Sequence, residues 1–129
     1  MVDLAREIGL SKTPVLMRVK RLEKEGYIQG YRAVLNPEKF NRSHVAFAEV
    51  KLSSTRLKAL NAFNVAVLDV PEIEQCHMIA GSFDYLLKIR TKDISSYRRV
   101  LGEVVSALPY VDATSTHVSM QAIKENAAG

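Results

Sequence analysis

From Val45 onward the chain reads strand, helix, strand, and then repeats that order once. Residues 45–53 alternate, with Ala46, Ala48, Val50 and Leu52 on one face and Glu49 and Lys51 on the other, the period-two pattern of a half-buried strand. Residues 56–69 place Leu57, Leu60, Phe63 and Val67 on one helical stripe, and Pro71 stops the helix. Residues 74–80 form the next strand. The second round runs through a strand at 85–90, a helix at 94–108 and a strand from 111 to about 123. In that helix Ile94, Tyr97, Leu101, Val104 and Leu108 recur at 3-4-3-4 spacing. Two such units in one sheet make a ferredoxin-like βαββαβ α/β sandwich. Its helices cover one face only, so the other face needs a cover, and the simplest is a second copy of the same sheet.

The first third has a different period. Residues 3–11 carry a short amphipathic helix that turns at Gly9, and residues 12–25 carry a second, basic one ended by Gly26. Residues 27–35 then read as a short β segment broken at Gly30, the pattern of a winged helix. Residues 36–43 are polar, contain Pro37 and lack a period, which sets the domain boundary there. The fold class is therefore α+β: a winged helix-turn-helix at 1–35, incomplete at its start, a linker at 36–43, and a ferredoxin-like domain at 44–129. Residues 1–43 hold nine Lys/Arg against five Asp/Glu, and the rest of the chain is balanced, so the whole formal charge of +4 sits in the first third. That is where a phosphate-attracting surface would lie.

With Val15 as origin of a wheel at 100° per residue, Val19 and Leu22 fall within about 40° of it and define the buried stripe. Thr13, Met17, Lys20, Arg21 and Lys24 occupy the opposite face, and Arg18 the flank. Such a set suits the major groove: Arg forks onto guanine, Thr meets a base edge or a thymine methyl, and Lys serves phosphates. The plain alternative is a solvated basic helix face; the Gly9 turn, the wing and the confined charge favour the groove reading. Pro14 in the first turn costs little, because its missing N–H has no helical partner there.

Cys76, the only cysteine, excludes an internal disulfide framework, and no apolar run approaches the roughly 20 residues of a membrane span. With no signal segment at the start, a cytoplasmic location is expected. Cys76 and His77 are adjacent, but strand neighbours point to opposite faces and cannot pair as nucleophile and base. His44, His77 and His117 lack zinc-ligand spacing. No enzyme, metal site or cofactor is expected.

The motif Gly9-Leu10-Ser11-x-Thr13-Pro14-Val15-x-x-Arg18-Val19-x-x-Leu22-Glu23-x-x-Gly26-x-Ile28, with Gly30-Tyr31 and Leu35-Asn36-Pro37 after it, resembles the Lrp/AsnC (leucine-responsive, feast-famine) regulators. Glu74-x-Cys76-His77-x-x-x-Gly81-x-Phe83-Asp84-Tyr85-Leu86-Leu87-Lys88, then Tyr97-Arg98 and Leu108-Pro109-x-Val111, is similar to their effector domain. The resemblance implies a DNA-binding transcriptional regulator, not an enzyme. Its DNA-binding residues would be Ser11, Lys12, Thr13, Met17, Arg18, Lys20, Arg21 and Lys24, its partner double-stranded DNA. It implies a homodimer formed by sheet pairing that assembles to a tetramer or octamer, with a small amino acid such as leucine bound between dimers. The effector positions carried over are Met78, Gly81, Ser82, Phe83, Asp84, Ile94, His117, Val118 and Ser119; the family usually has an acidic residue in place of Ser82. It also implies about 30 residues ahead of Met1, including the helix that completes the trihelical core, so a chain starting at Met1 is expected to assemble but to bind DNA weakly.

The residue chemistry admits two readings of 81–84. Asp84 can meet an ammonium group, backbone N–H groups near Gly81 a carboxylate, and Met78, Ile94 and Val118 an apolar side chain. Equally, 81–84 is a tight hairpin in which glycine supplies backbone freedom. The rival function is a small-molecule-binding ferredoxin-like oligomeric module with impaired or no DNA binding.

Overall fold

The computed structural model describes residues 12–36 and 39–125. The helix expected at 3–8, and Ser11, lie outside the described residues, and so do the side chains of Lys12 and Thr13. The chain divides into two units, Met1–Val34 and Leu35–Gly129.

In the first unit, helix α1 spans Lys12–Lys24. Val15 and Val19 are buried, with Ile28 packed against them; Leu22, expected to be buried with them, is half-buried. The helix ends in a Schellman motif: Tyr27 N–H reaches Leu22 O at 2.9 Å and Gly26 N–H reaches Glu23 O at 3.2 Å. Gly26 has φ +84°, which a side chain would oppose. The β segment expected at 27–35 is not formed; residues 27–36 hold neither helix nor strand. A strand needs a partner to complete its ladder, and this segment bonds the helix instead. Ile28 N–H also reaches Leu22 O, and the Tyr31 hydroxyl donates to Glu23 Oε1 at 2.6 Å.

The second unit is a four-stranded antiparallel sheet with two helical segments. Its elements are β1 (His44–Leu52), α2 (Leu57–Val67), β2 (Ile73–Met78), β3 (Tyr85–Thr91), α3 (Ile94–Val100), which runs on into a π-helical turn at Leu101–Val105, and β4 (Val111–Val118). The strand order β2-β3-β1-β4 is the ferredoxin-like one. Registers such as Ala46↔Ile89, Ala48↔Leu87 and Ala48↔Thr116 put the apolar set of β1 beside that of β3. Ala46, Ala48, Val50, Tyr85, Leu87 and Ile89 are all at most 1% exposed, and Phe63, Tyr97 and Val105 close over them.

Both helical stripes differ from the sequence reading. On α2 the buried residues are Ala59, Phe63 and Val67; Leu57 lies about 200° round the helix from Ala59 and is 73% exposed. In the last helical segment the π turn inserts extra rotation, so Val105 takes the core position expected of Val104, and Ile94 is 49% exposed. β4 ends at Val118 instead of continuing to about 123, because β1 offers little further partner beyond Ala46↔Val118. Ser119 N–H makes a last bond to Val45 O. Residues 119–125 then cross the uncovered face of the sheet, where Glu125 meets Lys88 and Arg90 of β3.

Candidate nucleic-acid interface and ligand site

On α1 the geometry sorts the candidate residues by exposure. Met17, Arg18, Lys20, Arg21 and Lys24 are exposed while Val15 and Val19 face inward. The helix therefore presents two lysines and an arginine on the side away from its packed stripe, with Arg18 on the flank. Two of those cations, Arg21 and Lys24, lie in the last turn, where positive charge also complements the helix dipole.

The nine effector candidates do not gather in one chain. Met78 pairs with Tyr85 at one end of the sheet, and Gly81, Ser82, Phe83 and Asp84 form the β2–β3 hairpin there. Ile94 follows Thr91 at the far end of β3, and Val118 pairs with Ala46 at that same end, next to His117 and Ser119. Tyr85 and Thr91 are six strand steps apart, roughly 20 Å at about 3.3 Å per residue. Within one chain, then, the candidates fall into two groups at opposite ends of the sheet.

The chemistry of the halves differs. At the hairpin, Asp84 Oδ2 accepts the Leu52 N–H at 2.8 Å, its own N–H donates to Val50 O at 2.9 Å, and Ile79 N–H donates to Asp84 O at 2.9 Å. One oxygen of the carboxylate thus ties the hairpin to the end of β1. Met78 is 57% exposed beside it, and a Cβ on Gly81 would meet only the Ile79 side chain at ordinary contact distance. At the other end Ile94 and Val118 are half-exposed. His117 instead points to the uncovered face, where its Nε2 lies 2.5 Å from Glu49 Oε2.

Cys76 and His77 take opposite faces of β2, Cys76 half-buried against the core and His77 exposed. Burial pushes the Cys76 thiol above its usual range, against a thiolate role. Among the described residues no cluster of three His, Cys, Asp or Glu could hold a metal, and no helix is long and apolar enough to cross a membrane.

Sequence reasoning missed the ion network of the uncovered face. Lys88 is 5% exposed and bonds Glu125, with Glu74 4.0 Å away; Arg90 Nε lies 2.7 Å from Glu74 Oε2 and its Nη2 3.3 Å from Glu125 Oε1. The hydrogen bond from Lys88, reinforced by both positive charges, holds the Glu125 carboxyl below its ordinary range. Lys88 and Arg90 at alternate positions in an apolar strand were the available signal; Glu125 lies 37 residues from Lys88 and carried none.

A helix with an exposed basic face, followed by a ferredoxin-like domain with ligand candidates at the ends of its sheet, defines a regulator with a sensing domain. Family models agree in both parts: the Lrp/AsnC ligand-binding domain matches residues 45–128 and a winged helix-turn-helix DNA-binding domain matches residues 1–29. The chain belongs to the Lrp/AsnC family. It is 62% identical over 125 residues to the proline dehydrogenase transcriptional activator of Rhizobium radiobacter, covering 97% of this chain and 80% of that protein. With the leucine-responsive regulatory protein of Escherichia coli the identity is 46% over 97% of this chain and 76% of that one. A transcriptional regulator from Neisseria meningitidis, solved as a complex with L-methionine, superposes with TM-score 0.86 at 28% identity, covering 96% of this chain and 80% of that one.

Proposed function

We propose that this protein is a DNA-binding transcriptional regulator that senses a small amino acid through its quaternary state. The observation that carries the DNA part is the division of α1 into a buried Val15/Val19 stripe and an exposed cationic face. Met17 and Arg21 sit where base edges would be read, and Lys20, Lys24 and Arg18 where phosphates would be met. Ser11, Lys12 and Thr13 complete the set by family resemblance. The protein would act in the cytoplasm.

The sensing part rests on the opposed half-sites. A ligand that needs both Met78, Gly81, Ser82, Phe83 and Asp84 and Ile94, His117, Val118 and Ser119 cannot be enclosed by one chain, so the pocket would be completed by a second copy. Sheet pairing would make the dimer, and amino-acid-bridged contacts between dimers the tetramer or octamer. A ligand that favours one assembly changes how many DNA-reading helices act together. Leucine is the first candidate, given the leucine-responsive relatives, and methionine the second.

Two experiments test this reading. Duplex binding measured at several salt concentrations should weaken steeply as salt rises, and Arg21→Ala should cost roughly 1–3 kcal/mol; affinity indifferent to salt would sink it. For the sensor, Asp84→Ala and Val118→Glu each disable an opposite half-site, and each alone should lose the leucine-dependent change in oligomer size. Mixed in equal amounts they should regain part of it, since some contacts then pair two intact halves. Failure of the mixture to recover any response argues for a one-chain site.

A further inference from the structure

The Leu35–Gly129 unit encloses a half-open cleft of about 500 Å³ that shares no residue with either half-site. Phe40, Val100 and Val104 give it an apolar wall, while Arg42, Lys92 and Arg99 bring three positive charges and Glu72 and Glu103 two negative ones. The ion pairs among the described residues join Lys88, Arg90 and His117 to Glu49, Glu74 and Glu125, and leave these five charges out. Glu72 carries a second anomaly: its Oε2 is sealed from solvent and has no hydrogen-bond partner. Buried acceptors are ordinarily paired, because an unmet one forfeits its hydration with nothing in return. Turning that carboxylate onto a donor in the cleft would remove the deficit.

We propose that this cleft is a binding site for a free α-amino acid contained within a single chain. The ammonium group would be held by Glu72, the carboxylate by Arg99 and Lys92, and the side chain by Val100, Val104 and Phe40. Mixed charge selects the class. A simple anion such as phosphate meets two carboxylates, a simple cation meets three positive groups, and a zwitterion satisfies both sets. The volume lies within the range of small-molecule sites. Phe40, Asn41 and Arg42 belong to the segment that leads from the first unit into β1, so an occupant also contacts the connector. This site is independent of the effector reading above.

The test uses the full chain carrying Asp84→Ala, which disables the other site, and calorimetric titration with L-glutamate and L-leucine. One saturable event per chain is expected with at least one of them. Its affinity should fall about tenfold or more in Glu72→Gln and in the exposed-residue variants Arg99→Gln and Lys92→Gln, as for loss of one charge-assisted bond. The Nα-acetyl and α-amide forms of the same amino acids should bind at least about tenfold more weakly, since each removes one charge. Absence of saturable heat overturns the proposal. So does equal binding of the blocked forms or of inorganic phosphate, or unchanged affinity in Arg99→Gln and Lys92→Gln chains whose circular dichroism is that of the parent.

Discussion

The two faces of the sheet are built on opposite terms. Toward α2 and the π turn, alternate residues of β1 and β3 are apolar and almost fully buried, and two tyrosines of this core, one on β3 and one on α3, satisfy their hydroxyls internally. Tyr85 donates to Asn64 at 2.5 Å, and Tyr97 shares a 2.6 Å bond with Thr116. On the other face, half-buried Val45, Phe47 and Leu86 lie among matched polar groups, with the hydrogen-bonded His117 and Glu49 on one side and the ion pairs of Lys88, Arg90, Glu74 and Glu125 on the other. The first face closes by burying area within the chain. The second matches its Lys88, Arg90, Glu74 and Glu125 charges at home and keeps an apolar centre, which suits a surface that meets a partner copy without depending on it to fold.

The largest expected effect lies on the closed face. Phe63→Ala removes a ring whose centroid is 4.3 Å from that of Tyr85 and should cost about 3–5 kcal/mol in denaturant unfolding. Phe47→Asp should leave the monomer fold intact but weaken self-association by roughly 2–4 kcal/mol, seen as a shift to smaller species in sedimentation. If it lowers monomer stability as far as Phe63→Ala does, the contrast between the faces is wrong. Glu125→Gln strips Lys88 of its nearest counter-charge and should cost on the order of 1–2 kcal/mol, below the figure for fully buried pairs because Glu125 is partly exposed. Its pH dependence has a definite sign. Because folding lowers the Glu125 pKa from 4.5, its contribution is complete above that value and fades as pH falls through the folded one. The stability gap between parent and Glu125→Gln should therefore be constant near neutrality and shrink as pH falls below 4.5. The smallest effect is expected at Tyr110, a bulky residue at φ 64° whose carbonyl accepts the Ser53 N–H at 2.8 Å. Tyr110→Gly relieves that backbone conformation but loosens the unfolded chain, so the thermal midpoint should move by less than about 1 kcal/mol equivalent.

Much of this was legible in the residues. The alternation of 45–53 fixed which face of β1 is buried, and Gly26 marked the end of α1 with its cap geometry. Errors came where phase or partnership is set by something distant. The α2 stripe begins at Ala59 and not at the larger Leu57, because Ala59 shares the face of Phe63 and Val67 that packs on the sheet while Leu57 stands in solvent. The π turn changed which valine is buried, a shift that heptad counting cannot foresee. Residues 27–35 had strand-forming side chains but bonded the helix instead. The ligand candidates were named one by one from family motifs, and only the register of β1 with β3 and β4 revealed that they divide between two ends.

On the proposed two-chain reading, that division would make abundance part of the signal. A pocket assembled from the hairpin of one chain and the β4 end of another exists only as often as two chains meet, so its occupancy depends on how much regulator the cell holds as well as on how much amino acid surrounds it. When the protein is scarce, the same nutrient level would go unread, and the threshold of the response would be reset by changing expression alone, with no change in any residue of the pocket.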